Sequence, residues 1–322
     1  MLILPVLHGH EARAEQPYQI DWSMQFGTAT YDTASGVVVD DTGHVYLSGW
    51  GGRNLFGAGT LDIQGYLVKL DPTGSVIWQR QTDRLNRAVA RDSQGNIYTG
   101  GGTADGFYLD SAAEDSDAFL TKYDSLGNEL WDRQFGHTAF HDNVYSIGLD
   151  PSDNVYLAGN TNSYWVWTDA DNLYFGDGFI KKYDPAGAEL WYHPTSTTAS
   201  GNGVTVDHNG HAFMAGTTGG DLAGTNENPN YDDTFLIKYD SAGVEQWAEQ
   251  YGTPGWESGG HVTVDDMGNS YLLGRTNGSL GGPTLGEFDV FLKKIDPTGT
   301  ELWSRQIGTT SRDGSGDVAI DS

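Results

Sequence analysis

Cysteine is absent from this 322-residue chain, so neither a disulfide framework nor a thiolate metal site can form. No apolar run reaches the roughly 18 residues that a membrane-spanning helix needs. We therefore expect no membrane span. Lysine and arginine are also scarce: 17 of them stand against 44 aspartates and glutamates, which gives a formal net charge of −27. A field of that sign repels phosphate backbones and anionic lipids, so we also expect no nucleic-acid partner and no binding to a membrane surface.

Sequence motifs of catalysis are missing as well. The nine histidines are scattered, and the chain has no nucleophile elbow, no His-Glu-x-x-His pattern and no phosphate-binding loop. We therefore expect that the protein is not an enzyme. The alternative is a quinoprotein-like oxidoreductase, because the segment Asp71 to Gly74 followed by Trp78 resembles the tryptophan-docking motif of that class.

Glycine, aromatic residues and an internal repeat are what the chain has in abundance. It contains 45 glycines and 12% aromatic residues, a composition typical of turn-rich β proteins. Tryptophans recur at intervals of 53 to 60 residues, at Trp22, Trp78, Trp131, Trp191, Trp247 and Trp303. Aspartates that end short apolar runs recur at 52 to 58 residues, at Asp40, Asp92, Asp150, Asp207, Asp265 and Asp321. Two markers with nearly the same period predict a chain of repeated units.

Each repeat contains four short alternating segments joined by Asp-x-x-Gly turns, which predicts a four-stranded antiparallel meander. In the fifth unit the segments are His261 to Asp265, Asn269 to Gly274, Val290 to Ile295 and Thr300 to Gln306. Such a sheet cannot bury both faces alone, but copies packed around an axis can. We therefore predict an all-β fold, a β-propeller of four-stranded antiparallel blades. Five complete blades would span residues 34 to 307, with partial blade strands at both ends, near Gln19 to Phe26 and Gly316 to Asp321.

The repeat resembles the bacterial SBBP-type β-propeller repeat family. The matching stretches are Gly36 to Asp40, Gly268 to Gly274, Asp117 to Asp124 and Leu130 with Trp131. The resemblance covers residues 18 to 322. It implies a propeller and secretion rather than a particular chemistry. The repeat departs from this pattern in the short link Thr82 to Arg87 and at His193 and Pro194, where we expect altered geometry between blades.

Residues 2 to 6, followed by Ala12, Arg13 and Ala14, resemble the end of a signal peptide with its cleavage site. We therefore interpret residues 1 to 17 as the remnant of a secretory signal peptide or a disordered N-terminus, and residues 18 to 322 as the propeller domain. The partial strands at the two ends would give a sixth blade only its outermost and innermost strands, without the two strands between them. We therefore expect that the chain is truncated at the C-terminus. The chain would then be a fragment of a longer parent chain with other domains, located outside a bacterial cell or on its surface.

The predicted loop from Asn160 to Asp177 differs most from its counterparts. It carries Tyr164, Trp165, Trp167 and Tyr174, and flat aromatic rings beside carboxylates suit a sugar ligand. The alternative is that these rings cover the edge of a neighbouring blade. Asp169, Asp171 and Asp177 are weak calcium candidates, and no other cofactor is expected. The predicted function is a secreted or cell-surface recognition or scaffold module whose partner is an extracellular glycan or protein.

One lysine recurs in the third strand of every repeat, at Lys69, Lys122, Lys182, Lys238 and Lys294. A ring of cations for an anionic ligand is one interpretation. The other is structural: each lysine lays its stem on the blade and pairs with a nearby carboxylate. We favour the structural role, and we expect the repeating tryptophans to pack between blades.

Overall fold

The computed structural model describes residues 21–25, 27–28, 31–52, 63–103, 116–136, 140–167, 172–226, 228 and 230–321. Within these residues the protein consists of nineteen β-strands and has no helix. In this part of the chain there is consequently no helix long and apolar enough to cross a membrane. The predicted all-β fold is confirmed. Residues 1 to 17, interpreted as a signal remnant, lie outside the described residues.

The strands form five four-stranded antiparallel blades, each a meander. Blade 1 contains β1 (Asp32–Val39), β2 (Val45–Gly52), β3 (Ile63–Leu70) and β4 (Val76–Thr82). Blade 2 contains β5 (Arg84–Arg91), β6 (Ile97–Thr103), β7 (Ala118–Tyr123) and β8 (Glu129–Phe135). Blade 3 contains β9 (His141–Leu149), β10 (Val155–Trp167), β11 (Asn172–Tyr183) and the first part of β12 (Glu189–Val206). Blade 4 contains the rest of β12, β13 (Ala212–Thr218), β14 (Asp233–Tyr239) and β15 (Glu245–Tyr251). Blade 5 contains β16 (Glu257–Val264), β17 (Ser270–Thr276), β18 (Asp289–Ile295) and β19 (Glu301–Ile307).

The two departures from the repeat pattern alter the links between blades and leave the four-stranded blades intact. Asp83 alone separates β4 from β5. Strand β12 has no break at all: its first part pairs with β11 as far as Thr198, and its second part pairs with β13 from Ala199 onward. Blades 3 and 4 therefore share a seven-stranded sheet.

The predicted Asp-x-x-Gly turns are formed as the sequence indicates. In the turn that begins at Asp124, one carboxylate oxygen accepts hydrogen bonds from the backbone N–H groups of Leu126 and Asn128, at 2.9 and 2.8 Å. Gly127 has a φ of 80°, a region that favours glycine. Asp153 stands where its counterparts have glycine, and its φ is 62°. Aspartate tolerates this left-handed conformation better than most residues.

Neighbouring blades are joined by a repeated contact, which we call the tryptophan–lysine contact. The indole N–H of the fourth-strand tryptophan and the ammonium group of the third-strand lysine both donate to one backbone carbonyl in a turn of the next blade. Trp131 and Lys122 donate to the carbonyl of Pro185, at 3.3 and 3.2 Å. The equivalent sets are Trp78 and Lys69 to Ser125, Trp191 and Lys182 to Ser241, and Trp247 and Lys238 to Pro297. Trp22 donates to the carbonyl of Pro72 in the same way, at 3.0 Å.

The recurring lysines and tryptophans are structural, as predicted. Lys182 lies 3.3 Å from the carboxylate of Asp150 in its own blade, and both side chains are buried. Lys122 pairs with Asp92, and Lys294 with Asp265, in the same manner. The tryptophan ring packs edge-on against an aromatic ring of the second strand, as in the pair Tyr156 and Trp191, whose centroids are 5.6 Å apart.

Where the structure describes them, the partial strands predicted at the two ends are not paired strands. The described residues 21–25 and 313–321 are irregular in conformation. A strand needs a hydrogen-bonded neighbour, and among the described residues neither segment is paired in a backbone ladder with another strand. Trp22 nevertheless contacts blade 1 as a fourth-strand tryptophan would, and His261 of β16 lies 3.2 Å from the carboxylate of Asp317.

Candidate functional site

The innermost strands of the five blades line a common cavity of about 520 Å³, which we call the channel. These strands are β1, β5, β9, the second part of β12, and β16. All five contribute lining residues, and Asp317 and Val318 add to the wall. A concave site reached from several rigid strands is a favourable place for ligand binding.

Each innermost strand carries a β-bulge at the same position, five residues before its turn aspartate. In blade 2, Asn86 pairs with Gly101 and Ala88 pairs with Gly100, so Arg87 has no cross-strand partner. The bulged residues are Ser35, Arg87, Tyr145, Asn202 and Gly260. All five line the channel. Since a bulge redirects a side chain out of the regular alternation, these positions place different residue types around one axis.

Polar contacts within the wall hold several of these side chains in place. Arg87 donates from Nε to the side-chain oxygen of Asn143 at 3.2 Å, and its guanidinium lies over the Tyr145 ring, 5.4 Å from the centroid. Asn202 donates to the carbonyl of Gly259 at 3.0 Å and accepts from Ser200 at 2.8 Å. Burial raises the pKa of Tyr145, so its phenol is neutral at ordinary pH.

The aromatic segment singled out in the sequence is a hairpin and not an irregular loop, which corrects the prediction for residues 160 to 177. Strand β10 continues to Trp167, and β11 begins at Asn172. In backbone register Tyr164 lies opposite Phe175, and Trp165 lies opposite Tyr174. Tyr, Trp, Val and Phe are strong strand formers, so the longer segment pairs with itself.

The base of this hairpin is anchored to the start of β9. A register shift between Thr161 and Tyr164 places Asn162 at a φ of 55°. The backbone N–H of Asn162 donates to Asp142 at 3.1 Å, and its side chain donates to Asp177 at 3.3 Å. The hydroxyl of Ser163 donates to the carbonyl of His141 at 2.5 Å. These bonds fix the direction in which the hairpin leaves blade 3.

Carboxylates on this face of the molecule are held by local donors. Among the described residues no group of three or more histidine, aspartate or glutamate side chains is placed to hold a metal. Asp169 and Asp171 lie outside the described residues, so the calcium hypothesis stays a prediction. Burial raises the pKa of Glu257, which accepts hydrogen bonds from the hydroxyls of Thr253 and Thr276 at 2.7 and 2.6 Å. Glu257 thereby fixes the link between blades 4 and 5.

Comparison with protein families gives a match that begins at the end of blade 2 and continues into blade 3. The SBBP family, described as a β-propeller repeat, matches residues 130–164, from the end of blade 2 to the second strand of blade 3. This chain contains the SBBP-type β-propeller repeat. The family resemblance inferred from the sequence is therefore confirmed.

Other proteins resemble this SBBP-repeat chain at lower similarity. The WD repeat-containing protein L264 of Acanthamoeba polyphaga mimivirus is 28% identical over 204 residues, which cover 59% of this chain and 12% of that protein. The chain thus spans a small part of the length of that relative. A lignostilbene dioxygenase from Pseudomonas brassicacearum has a TM-score of 0.50 at 12% identity, covering 88% of this chain and 65% of the other. Virginiamycin B lyase from Staphylococcus aureus has a TM-score of 0.46 at 10% identity, covering 84% and 69%.

The likeness to the dioxygenase corrects the expectation that the SBBP-repeat protein is not an enzyme. That exclusion was wrong because it rested on missing sequence motifs. The dioxygenase shares the fold and carries catalysis, so a propeller of this kind does not exclude enzyme activity. The likeness shows the fold alone, and no activity is transferred from it.

The channel residues were missed by reasoning from the sequence. The available signal was the position five residues before each turn aspartate, which is occupied by serine, arginine, tyrosine, asparagine and glycine in successive repeats. Two residues further along, each repeat keeps a β-branched aliphatic residue, at Val37, Val89, Ile147, Val204 and Val262. A position that varies within a regular repeat is a candidate for ligand contact.

Proposed function

We propose that this SBBP-repeat protein is a glycan-recognition module whose binding surface is the extended hairpin of β10 and β11. The observation that carries the proposal is the length of that hairpin. Strands β10 and β11 contain 13 and 12 residues, whereas the equivalent strands β13 and β14 of the next blade contain 7 each. The extension therefore projects beyond its neighbour from a rigid scaffold, which is where binding segments are commonly found.

The composition of the extension supports a sugar ligand. Tyr164, Trp165 and Trp167 lie on β10 and Tyr174 on β11, all within the projecting part. Tryptophan and tyrosine offer large, rigid contact areas with an apolar face and one hydrogen-bonding group. The net charge of −27 disfavours anionic polymers and leaves neutral glycans as the better class of ligand for this surface.

A glycan array tests the proposal with the native protein and the double variant Trp165→Ala/Trp167→Ala. We expect native protein to retain a defined set of neutral glycans and the double variant to lose at least about tenfold in affinity for them, since tryptophan is among the residues that contribute most to binding energy at such surfaces. Tyr231→Ala is the matched control, because Tyr231 is exposed on the corresponding connection of blade 4.

Two results contradict the proposal. One is glycan binding that persists unchanged in the double variant while circular dichroism shows both proteins folded. The other is an equal loss of binding in Tyr231→Ala, which would mean that exposed aromatics in general, and not this hairpin, retain the glycan.

A further inference from the structure

Arg87 is a cation in the channel whose hydrogen-bonding capacity is only partly used. Its Nε donates to Asn143, and neither terminal nitrogen has a protein acceptor within the described residues. Arg84 and Arg133 of the same blade, by contrast, use their terminal nitrogens or Nε fully within the protein: Arg84 pairs with Asp132, and Arg133 donates to the carbonyls of Gly187 at 2.7 Å and of Asp132 at 2.7 Å. Two parallel N–H donors thus remain available at the channel surface.

The charge around Arg87 is unusual for this protein. The chain has a net charge of −27, yet the carboxylate that lines the channel, Asp317, is exposed and lies beside His261. The remaining bulged residues of the wall are uncharged. An arginine without a carboxylate partner in an acidic protein is available for an anion from outside the chain.

The guanidinium is also held in a fixed orientation. One edge is bonded to Asn143 and one face lies over the Tyr145 ring, so little side-chain freedom is left to lose when a ligand binds. A planar fork fixed in this way matches the two oxygens of an oxyanion. Ser35 on blade 1 and Asn202 on blade 4 present uncharged polar groups to the same channel, and such groups suit hydroxyls.

We propose that the axial channel binds a sugar that bears an oxyanion, with Arg87 contacting the anionic group and the other bulged residues contacting the hydroxyls. The channel volume of about 520 Å³ accommodates one hexose. This site goes beyond the proposed function, because it is separate from the β10–β11 hairpin and takes a charged ligand where the hairpin takes a neutral one.

Isothermal titration calorimetry with three hexoses tests this site. The probes are glucuronate and glucose 6-phosphate, which differ in the source of the oxyanion, and glucose, which has none. We expect at least one anionic sugar to bind at least tenfold more tightly than glucose, and its affinity to fall as salt is added. Arg87→Gln should remove this advantage, and Arg87→Lys should keep part of it, because the charge remains while the planar fork is lost.

Arg305→Gln is the control for the change of charge, since Arg305 is exposed on the outermost strand of blade 5. The proposal fails if neither anionic sugar binds better than glucose, if Arg87→Gln leaves binding unchanged, or if Arg305→Gln weakens it equally. The double variant Trp165→Ala/Trp167→Ala should bind the anionic sugar normally. This result distinguishes a failure of the proposal for the channel from a failure of the proposal for the hairpin.

Discussion

Blade 2 and blade 5 carry the same repeat but differ in how deeply it is buried. In blade 2, β6 is buried at every position before Thr103, and β7 is buried throughout. In blade 5, β17 and β18 alternate between buried and half-buried residues. Blade 2 packs against blades 1 and 3, whereas blade 5 packs against blade 4 on one face. Burial in this fold therefore depends on the neighbouring blades as much as on the residue itself.

The same contrast holds for the contacts between blades. Trp247 and Lys238 of blade 4 reach the turn of blade 5, but Trp303 and Lys294 of blade 5 have no equivalent turn carbonyl among the described residues. The hydroxyl of the fully buried Tyr156 lies 3.1 Å from both the carboxylate of Asp150 and the carbonyl of Gly210 in the next blade, and its single proton is donated to one of these two acceptors. The covered blades are thus expected to be the more sensitive to substitution.

The largest effect is expected in the core of a covered blade. Leu236→Ala on β14 removes a side chain that is 0% exposed and should cost about 2–5 kcal/mol of unfolding free energy. Leu292→Ala, at the equivalent position on the half-buried β18, should cost roughly half as much, because less apolar area leaves water. Urea unfolding of the two variants measures both values. Equal losses would contradict the comparison.

A smaller effect is expected from the charged groups at the turns. Burial alone would raise the pKa of Asp150, but hydrogen bonds from Asn154 and Ser152 together with Lys182 lower it below its ordinary value. The resulting stability is present above the unfolded-state pKa of about 3.9 and is lost as pH falls through the folded-state pKa.

Asp150→Asn should therefore lower stability by about 2 kcal/mol at neutral pH, a magnitude typical of hydrogen bonds to a charged group. It should also flatten the acid limb of the stability curve below about pH 4. Thermal melts between pH 2 and pH 7 check this. Asp266→Asn, which changes an exposed aspartate of a turn in blade 5, is the control. An acid limb as steep in Asp150→Asn as in the native protein would refute the assignment.

A third, smaller difference in stability is expected between variants of two fourth-strand tryptophans. Trp131→Phe removes the donor to the carbonyl of Pro185 and should cost about 1 kcal/mol beyond the change in ring size. Trp303→Phe makes the same change in a tryptophan whose indole N–H has no acceptor among the described residues, so that extra cost should be absent. Calorimetric melting of the pair isolates the hydrogen bond. A Trp303 variant as destabilised as the Trp131 variant would show that ring size alone matters.

The smallest effect concerns a contact between two turns that each join the first and second strands of a blade. Ser93 of blade 2 donates to the carboxylate of Asp153 in blade 3 from both its backbone N–H and its hydroxyl, at 2.9 and 2.6 Å. Ser93→Ala removes the hydroxyl bond and should cost about 0.5–1 kcal/mol. Ser152→Ala, an exposed serine in the adjoining turn, should change nothing measurable. The measurement is the difference in melting temperature between the two variants. If the two melting temperatures are equal, the Ser93 hydroxyl does not contribute to stability.

Much of the fold could be predicted from the sequence because its determinants are local. The Asp-x-x-Gly turns specify hairpins through side-chain bonds within four residues, and the tryptophan period specifies the blade. The site could not be predicted in the same way. The bulges at Arg87 and Tyr145 arise from how two strands pair, and no residue type marks them. The sequence predicts a loop beyond Thr161 because the described counterparts in blades 4 and 5 are irregular, although the residues of this segment favour strand.

Every repeat carries both parts of the tryptophan–lysine contact: the tryptophan and lysine that donate to the next blade, and the turn carbonyl that accepts from the blade before. A repeat that donates to the next turn also offers a turn to the repeat before it, so Trp22 can occupy the turn of blade 1 at Pro72 as Trp131 occupies that of blade 3 at Pro185. Duplication of a whole repeat therefore supplies both halves of the new junction in a single genetic event. Such a protein can gain repeats by duplication without evolving a new contact surface. The number of repeats can therefore change during evolution while the contacts at each junction stay the same.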